Sequence, residues 1–343
     1  MNWIVKRCWQ AECGQKQRIC GLFCVVVGLL LAVKIASAKD ATDASVPSPD
    51  AQVAPARPQN PLNGARAFQY LEQICAIGPR VSGTDGMVKQ QEMLQKHFEA
   101  LGANVSLQKF IAPNPLGGEK VPMANMIIQW HPERTERILL CAHYDTRPLP
   151  DQDPDPVQKR KGVFLGANDG ASGVALLMEL GHFMKDMDSR YGVDFALFDG
   201  EELVYVQGRD PYFYGSTWFA QQYVKEPPQY KYRWGVLIDM VGDADLQLYQ
   251  EKNSVAWRDT RPLVMEIWAI AAKLGVKEFV PRAKYQLQDD HLPLHDTAKI
   301  PTCDIIDFEY PSWHTTRDTA QRCSPASLAK VGWVLYEWLK VVK

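Results

Sequence analysis

The 343-residue sequence has no basic excess, because 38 Lys and Arg stand against 40 Asp and Glu for a net charge of −2. A protein that neutralises a phosphate backbone carries a surplus of Lys and Arg, so nucleic acid is not an expected partner. No run reaches the ~18 apolar residues that cross a bilayer, which excludes a polytopic membrane protein. No repeat of about 20–50 residues recurs, which excludes a solenoid or propeller. Cys-x-x-Cys is also missing, so neither a thiolate zinc site nor a thioredoxin-like motif is supported. What the chain does have is 46% apolar and 23% charged residues, the balance of an ordinary globular protein rather than a disordered or collagenous one. At roughly 150 residues per domain, the length suits two domains or one large α/β domain with appendages. Ten Trp and thirteen Tyr supply rings of the kind that line sites for organic groups.

The N-terminus reads as a targeting segment. Lys6, Arg7, Lys16 and Arg18 precede an uncharged apolar run from Cys20 to Val33. Lys34 ends the run, and Ala36-Ser37-Ala38 offers a small-x-small cleavage site. This is the pattern of a secretory signal peptide over residues 1–38, with an uncleaved membrane anchor as the alternative. Either way the bulk of the chain is expected to be exported, to the periplasm, the cell envelope or the medium. Residues 39–62, rich in Pro, Ala, Asp and Ser, read as an extended linker. Beyond the leader lie Cys75, Cys141, Cys303 and Cys323. An oxidising compartment permits disulfides among them, and buried free thiols are an equal alternative.

From residue 63 to 343 the apolar pattern alternates between two periods, as a single catalytic domain would. Helical spacing covers 86–101, 170–184, 216–224 and 261–274, and a last helix opens at Ser324-Pro325 with an N-cap and Pro at its first position. Continuous apolar runs at 138–142, 193–198 and 235–238, and a weaker one at 303–308, read as strands buried on both faces. Asp194 interrupts the second run, and Asp304 and Asp307 the fourth. Such alternation predicts an α/β protein with a mostly parallel sheet covered on both sides.

In open α/β sheets, sites form beyond the carboxyl ends of the strands. There the runs are followed by His143-Tyr144-Asp145, by Asp199-Gly200-Glu201-Glu202, by Asp239, and by Trp313-His314, while Gly166-Ala167-Asn168-Asp169-Gly170 opens a helix. Any one of these has an ordinary reading as a cap or solvated loop residue, and His97, His131 and His182 are read as core or surface histidines. Five ligand-type residues at strand ends (His143, Asp169, Glu202, Asp239 and His314) point jointly to a metal. Imidazole with carboxylate and no thiolate suits a catalytic zinc. Adjacent glutamates can divide the work, one binding the ion and one moving protons.

The motifs HYDT at 143–146, GANDGASG at 166–173, FDGEE at 198–202, YGS at 214–216 and WHTTRDT at 313–319 resemble the zinc-dependent M28 peptidase superfamily. RVSGTDG at 80–86, Gln288-Asp289-Asp290-His291-Leu292-Pro293 and Trp313 before His314 are similar to its glutaminyl-peptide cyclotransferase branch. The resemblance runs from about residue 64 to the C-terminus. It implies a three-layer αβα fold around a central mixed, mostly parallel sheet of the zinc-aminopeptidase type. It implies Asp169, Glu202 and His314 as the ligands of one zinc and Glu201 as general acid/base. Asp239 and Asp289 then form a hydrogen-bonded carboxylate network, and Trp313 lines the pocket. The aminopeptidase pattern would instead use His143 and Asp239 for a second zinc, bridged by Asp169. Animal-type cyclases differ in having Trp at the position of Gln207, His at that of Asp304 and Cys at that of Ala142.

The implied reaction converts the N-terminal glutamine of peptides and proteins to pyroglutamate with release of ammonia, by a monomer that uses zinc. The competing readings are a di-zinc aminopeptidase and an inactive binding domain. Survival of Glu201 and of all five ligand positions counts against the last. The segment 205–218, with Tyr205, Tyr212, Phe213, Tyr214 and Trp218, reads as a pocket-lining loop with ordinary helix packing.

Overall fold

Apolar runs bounded by turn residues become strands, and the amphipathic segments between them become helices, across residues 59–343, the part of the chain that the computed structural model describes. The leader read over 1–38 and nearly all of the linker read over 39–62 lie outside the described residues. The Asn60 side chain donates to the Ala329 carbonyl at 3.0 Å, and Leu62 is buried in the core.

Two helices open the domain, α1 (Gly64–Ala76) and α2 (Asp85–Ala100). Strands β1 (Asn104–Ala112), β2 (Val121–Trp130) and β3 (Glu136–His143) follow, then a short α3 (Gln158–Lys161), α4 (Ala171–Met184) and β4 (Gly192–Phe198). The second half holds α5 (Tyr214–Lys225), β5 (Lys231–Asp239), β6 (Leu248–Gln250), α6 (Lys252–Ala256), α7 (Arg261–Leu274) and β7 (Phe279–Ala283). It ends with α8 (His291–Asp296), β8 (Thr302–Ile306) and α9 (Pro325–Val341). The main sheet has six strands in the order β1-β2-β4-β3-β5-β8. β4, β3, β5 and β8 are parallel, while β1 pairs antiparallel with β2 and β2 antiparallel with β4. The mixed, mostly parallel sheet is therefore as expected. β6 and β7 form a separate two-stranded sheet.

The two-residue period of the strands divides the core. Ile138, Leu140 and Ala142 of β3, with Val236 and Ile238 of β5 and Cys303 and Ile305 of β8, join the residues of α1, α4, α7 and α9 on one face. Leu139, Cys141 and Leu237 join Phe219 and Leu294, from α5 and α8, on the other. This makes three layers, helices on sheet on helices. All four parallel strands thus point their carboxyl ends at one rim, where His143, Glu201, Glu202 and Asp239 emerge.

Asp194, which breaks the apolar run of β4, is buried with a partner. The Arg137 guanidinium donates from Nε to Asp194 at 3.0 Å, and a second nitrogen makes a further close contact. The Tyr232 hydroxyl and the Gln129 amide donate to its other oxygen at 2.6 and 3.1 Å. Arg137 spends its remaining donors on the Trp130, His131 and Arg134 carbonyls. A buried ion pair is worth little net, whereas each buried Val, Leu, Ile or Phe contributes about 1.5–3 kcal/mol, so packing holds the strand and the pair fixes its register. Cys75, Cys141, Cys303 and Cys323 are free thiols, and burial pushes up the pKa of each. No helix among the described residues is long and apolar enough to cross a membrane.

Removing one partner of the Arg137–Asp194 pair strands a buried charge. Asp194→Ala is expected to lower the stability of the domain by about 3–5 kcal/mol, read from the denaturant midpoint at constant slope. A loss below about 1 kcal/mol would contradict this account of β4.

Candidate metal centre

The strand ends are brought together by tight loops. In the loop before α4, Gly170 has φ +93°, a conformation costly for any residue with a Cβ, and a Cβ there would also lie 3.0 Å from His143 Cε1. Gly173 lets the first turn of α4 sit on β5, since a Cβ would fall 2.4 Å from the Ile238 carbonyl oxygen. Two residues with side chains also take left-handed φ at the rim: Met240, which follows Asp239, at 46°, and His314 itself at 53°. Such positions cost about 1–3 kcal/mol each and persist only where surrounding contacts impose them.

Carboxylates that are not ligand candidates impose those contacts by accepting backbone N–H groups. Asp145 takes the N–H of Glu201 at 3.1 Å and of Glu202 at 3.0 Å. Asp318 takes those of Asn168 at 2.8 Å and Asp169 at 3.1 Å, and also the Tyr310 hydroxyl at 2.7 Å. Asp153 takes the N–H and hydroxyl of Thr316 at 2.9 and 2.6 Å. Three loops bearing Glu202, Asp169 and His314 are each held this way.

Two donor groups converge, and all their members are buried. Asp169, Glu202 and His314 offer ligand atoms within 4.8 Å of one another, and so do His143, Asp169 and Asp239. In the first group, His314 Nε2 lies 2.8 Å from Glu202 Oε1 and 3.4 Å from Asp169 Oδ2. In the second, His143 Nε2 lies 3.2 Å from Asp169 and 3.3 Å from Asp239. Asp169 belongs to both. Asp169 Oδ2, Glu202 Oε2 and both ring nitrogens of His143 are buried without a hydrogen-bond partner. Lone pairs buried in that state are costly unless a cation takes them, so the donor set fits a divalent metal.

Glu201 belongs to neither group. Its carboxylate is 4.0 Å from His143 Nδ1, and burial, then the Glu202 charge, raise its pKa well above the usual carboxylate range. Burial also works against the Glu202 carboxylate, but the His314 and Arg147 charges outweigh it and hold Glu202 at about 2. The two neighbours are thus pushed apart, the arrangement that separates a proton carrier from a ligand.

Asp289 is buried beside the same cluster, its proton affinity raised by burial and then by the Asp239 charge. Asp239 Oδ1 accepts the Met240 N–H at 2.8 Å and faces His143, while Asp289 Oδ1 accepts the Asp290 N–H at 2.6 Å.

Trp313 is half-buried and stacks on the His314 ring with centroids 3.8 Å apart, in an apolar cluster with Met240, Ile306 and Tyr310. Gln207 is exposed and accepts from Gln152, and Asp304 is buried 3.8 Å from His291. Tyr205, Tyr214 and Trp218 pack on Phe110, Met123 and Leu203, whereas Tyr212 reaches Arg147. His97, His131 and His182 lie off the site, each paired locally, with the Met178 carbonyl, the Met184 carbonyl and the Tyr70 hydroxyl. The residues that sequence reasoning missed are the loop anchors Asp145, Asp153 and Asp318, and the pair Arg147 and Asp151 behind Glu202 and His314. Asp145 and Asp318 do lie within the HYDT and WHTTRDT motifs.

The family model for peptidase family M28 matches residues 125–339. The solved glutaminyl cyclase of Fimbriiglobus ruber is 43% identical, covers 82% of this chain and 96% of its own, and superposes with a TM-score of 0.79. A solved leucine aminopeptidase precursor from Bacteroides thetaiotaomicron is 30% identical, covering 84% and 99% at a TM-score of 0.76. The glutaminyl-peptide cyclotransferase of Drosophila melanogaster is 26% identical over 263 residues, 71% of each chain.

Because Asp169 is common to both donor groups, Asp169→Ala is expected to abolish stabilisation by zinc, whereas Asp239→Ala spares the group at Glu202 and His314. At free zinc 100-fold above Kd, wild type gains about 2.7 kcal/mol, read as a rise in thermal midpoint that a chelator reverses. An equal rise in Asp169→Ala would contradict the assignment.

Proposed function

The chain belongs to peptidase family M28, and we propose that within it this protein is a zinc-dependent glutaminyl-peptide cyclotransferase acting on peptides and proteins with an N-terminal glutamine. The observation that carries this reading is Glu201, free of both donor groups and raised in proton affinity, next to a triad of Asp169, Glu202 and His314, in a chain 43% identical over 82% of its length to a glutaminyl cyclase. Zinc held by that triad would polarise the side-chain amide carbonyl of the glutamine.

The remaining work falls to the protein. The α-amine must meet the side-chain amide carbon of its own residue, and a flexible side chain has to be held in a ring-like near-attack geometry. Trp313, fixed against His314, gives that side chain a flat wall. Glu201 takes the proton that the attacking nitrogen sheds as the new C–N bond forms. It then delivers a proton to the departing nitrogen, so that the old C–N bond breaks and ammonia leaves. A carboxyl with raised proton affinity suits both steps. Asp289, its proton affinity raised by burial and then by the Asp239 charge, can when protonated donate a hydrogen bond to the oxygen on which negative charge builds. An exported protein fits the leader read over 1–38, and peptides in that compartment are the proposed substrates.

A di-zinc aminopeptidase is the second reading, favoured by the group His143, Asp169 and Asp239 and by the likeness to a leucine aminopeptidase precursor. The higher identity to a cyclase ranks it second. Products separate the two: a Gln-peptide loses ammonia and keeps its length in a cyclase, whereas a Leu-peptide is shortened by one residue in an aminopeptidase.

The purified protein is expected to release ammonia from the Gln-peptide and to leave the Leu-peptide intact. Glu201→Gln should lower that release about 10²–10⁴-fold while retaining zinc. Near-normal release by the variant would overturn the role given to Glu201, and shortening of the Leu-peptide by wild type would favour the aminopeptidase.

A further inference from the structure

We propose that Asp151, locked in place by Arg147, is a positioning residue that sets which nitrogen of His314 faces the metal and thereby how tightly zinc is held. The inference rests on the reading of Asp169, Glu202 and His314 as zinc ligands. Both residues belong to the loop that leaves β3.

The Arg147 side chain is fully buried and makes contacts on two sides. Its Nη1 donates to Glu202 Oε1 at 2.9 Å, while Nε and Nη2 lie 3.0 and 3.1 Å from the two oxygens of Asp151. Nη2 is also 3.2 Å from the Tyr212 hydroxyl. Asp151 Oδ1 in turn lies 3.0 Å from His314 Nδ1, an ion-pair contact between two buried atoms that have no hydrogen-bond partner elsewhere, and His314 Nε2 is 2.8 Å from Glu202 Oε1. The four side chains Glu202, Arg147, Asp151 and His314 therefore close a ring.

An imidazole can present either nitrogen, and the group held at one nitrogen decides which remains as donor. Asp151 is the carboxylate in contact with Nδ1, so it favours the proton there and leaves Nε2 to face Glu202 and Asp169. Arg147 selects in the same way at Glu202. It occupies Oε1, and Oε2 is the oxygen left buried without a partner. Only a planar fork with several donors spans both carboxylates at once, which a lysine ammonium does not reproduce.

The loop grips the His314 segment at further points. The Gln152 N–H donates to the His314 carbonyl at 3.0 Å, and Asp153 accepts from the Thr316 N–H and hydroxyl. His314 stands at φ 53°, so its backbone needs such restraint to hold its aim. Asp151 is thus the side-chain contact of a clasp whose neighbours fix the backbone.

The test uses the full chain loaded with zinc and measures the rate at which an excess of a chromophoric chelator takes the metal, with folding checked by circular dichroism. Asp151→Ala is expected to release zinc about 10–100-fold faster than wild type. Asp151→Asn, which keeps an acceptor oxygen but not the charge, should fall between them. Arg147→Met should also speed release. The double variant should be no faster than the faster single one, because one ring is broken in either case. A folded Asp151→Ala that releases zinc within twofold of wild type overturns the proposal, even if its thermal midpoint falls, since a merely structural role would lower the midpoint alone. Should the alanine variant not fold, the near-isosteric Asp151→Asn decides by the same criterion. Wild type that takes up no zinc overturns the ligand reading and this inference together. Wild type that holds zinc but releases no ammonia sinks only the cyclase reading, and the release rates still judge Asp151.

Discussion

Too many carboxylates are buried at one rim of the sheet for all of them to be ionised without a counter-charge. Buried Asp169, Glu202, Asp239 and Asp289, with the half-buried Glu201, gather where the parallel strands end, with the imidazoles of His143 and His314 among them. Like charges at such distances repel strongly in a dry interior, and the ordinary remedies are protonation, pairing with a cation or coordination. The chain shows the first two, and its donor set fits the third. Glu201 and Asp289 are held toward the protonated state, Arg147 neutralises Glu202 on one side, and a divalent ion is the natural partner for what remains.

A division of labour among acidic residues follows. Asp145, Asp153 and Asp318 use their oxygens on backbone N–H groups and hold loops. Asp169 and Glu202 each keep a buried oxygen with no hydrogen-bond partner at all. An unpartnered oxygen does not by itself mark a ligand, since Asp151 Oδ1, Asp290 Oδ2 and both oxygens of Asp304 are also buried without a partner; Asp169 and Glu202 stand apart because their free oxygens converge with an imidazole. Arg147 and Asp151 connect a loop-holding role to the donor groups themselves.

Much of this was legible in the chain because two signals are local. Fully buried parallel strands are continuous apolar runs, so β3, β4 and β5 stood out, and the residues just past them were the place to look for ligands. The opening of α9 at Ser324-Pro325 was equally plain, and the Ser324 side chain does cap it. The antiparallel strands β1 and β2 were not legible. β1 is mostly exposed or half-exposed, and β2 carries Pro122, Asn125 and Gln129 inside its run. Asn125 reads as a strand breaker, yet it is buried and donates to the Gly215 carbonyl and to Gln108. Asp194 looked like an interruption because its partner Arg137 lies on another strand. Asp151 was invisible as a partner of His314 because 163 positions separate them and nothing short of the folded loop brings them within 3.0 Å. Pairings across long sequence separations carry no local pattern, which is why strand-end ligands could be found and the residues supporting them could not.

The central claim is that Asp169, Glu202 and His314 bind one ion while Glu201 stays unbound beside them. Anomalous diffraction at the zinc edge, from crystals of the zinc-loaded protein, tests it most directly. The account predicts a peak about 2.0–2.2 Å from an oxygen of Asp169, an oxygen of Glu202 and Nε2 of His314, with both Glu201 oxygens beyond bonding distance. A peak bonded to Glu201, or one that does not touch His314, would contradict it.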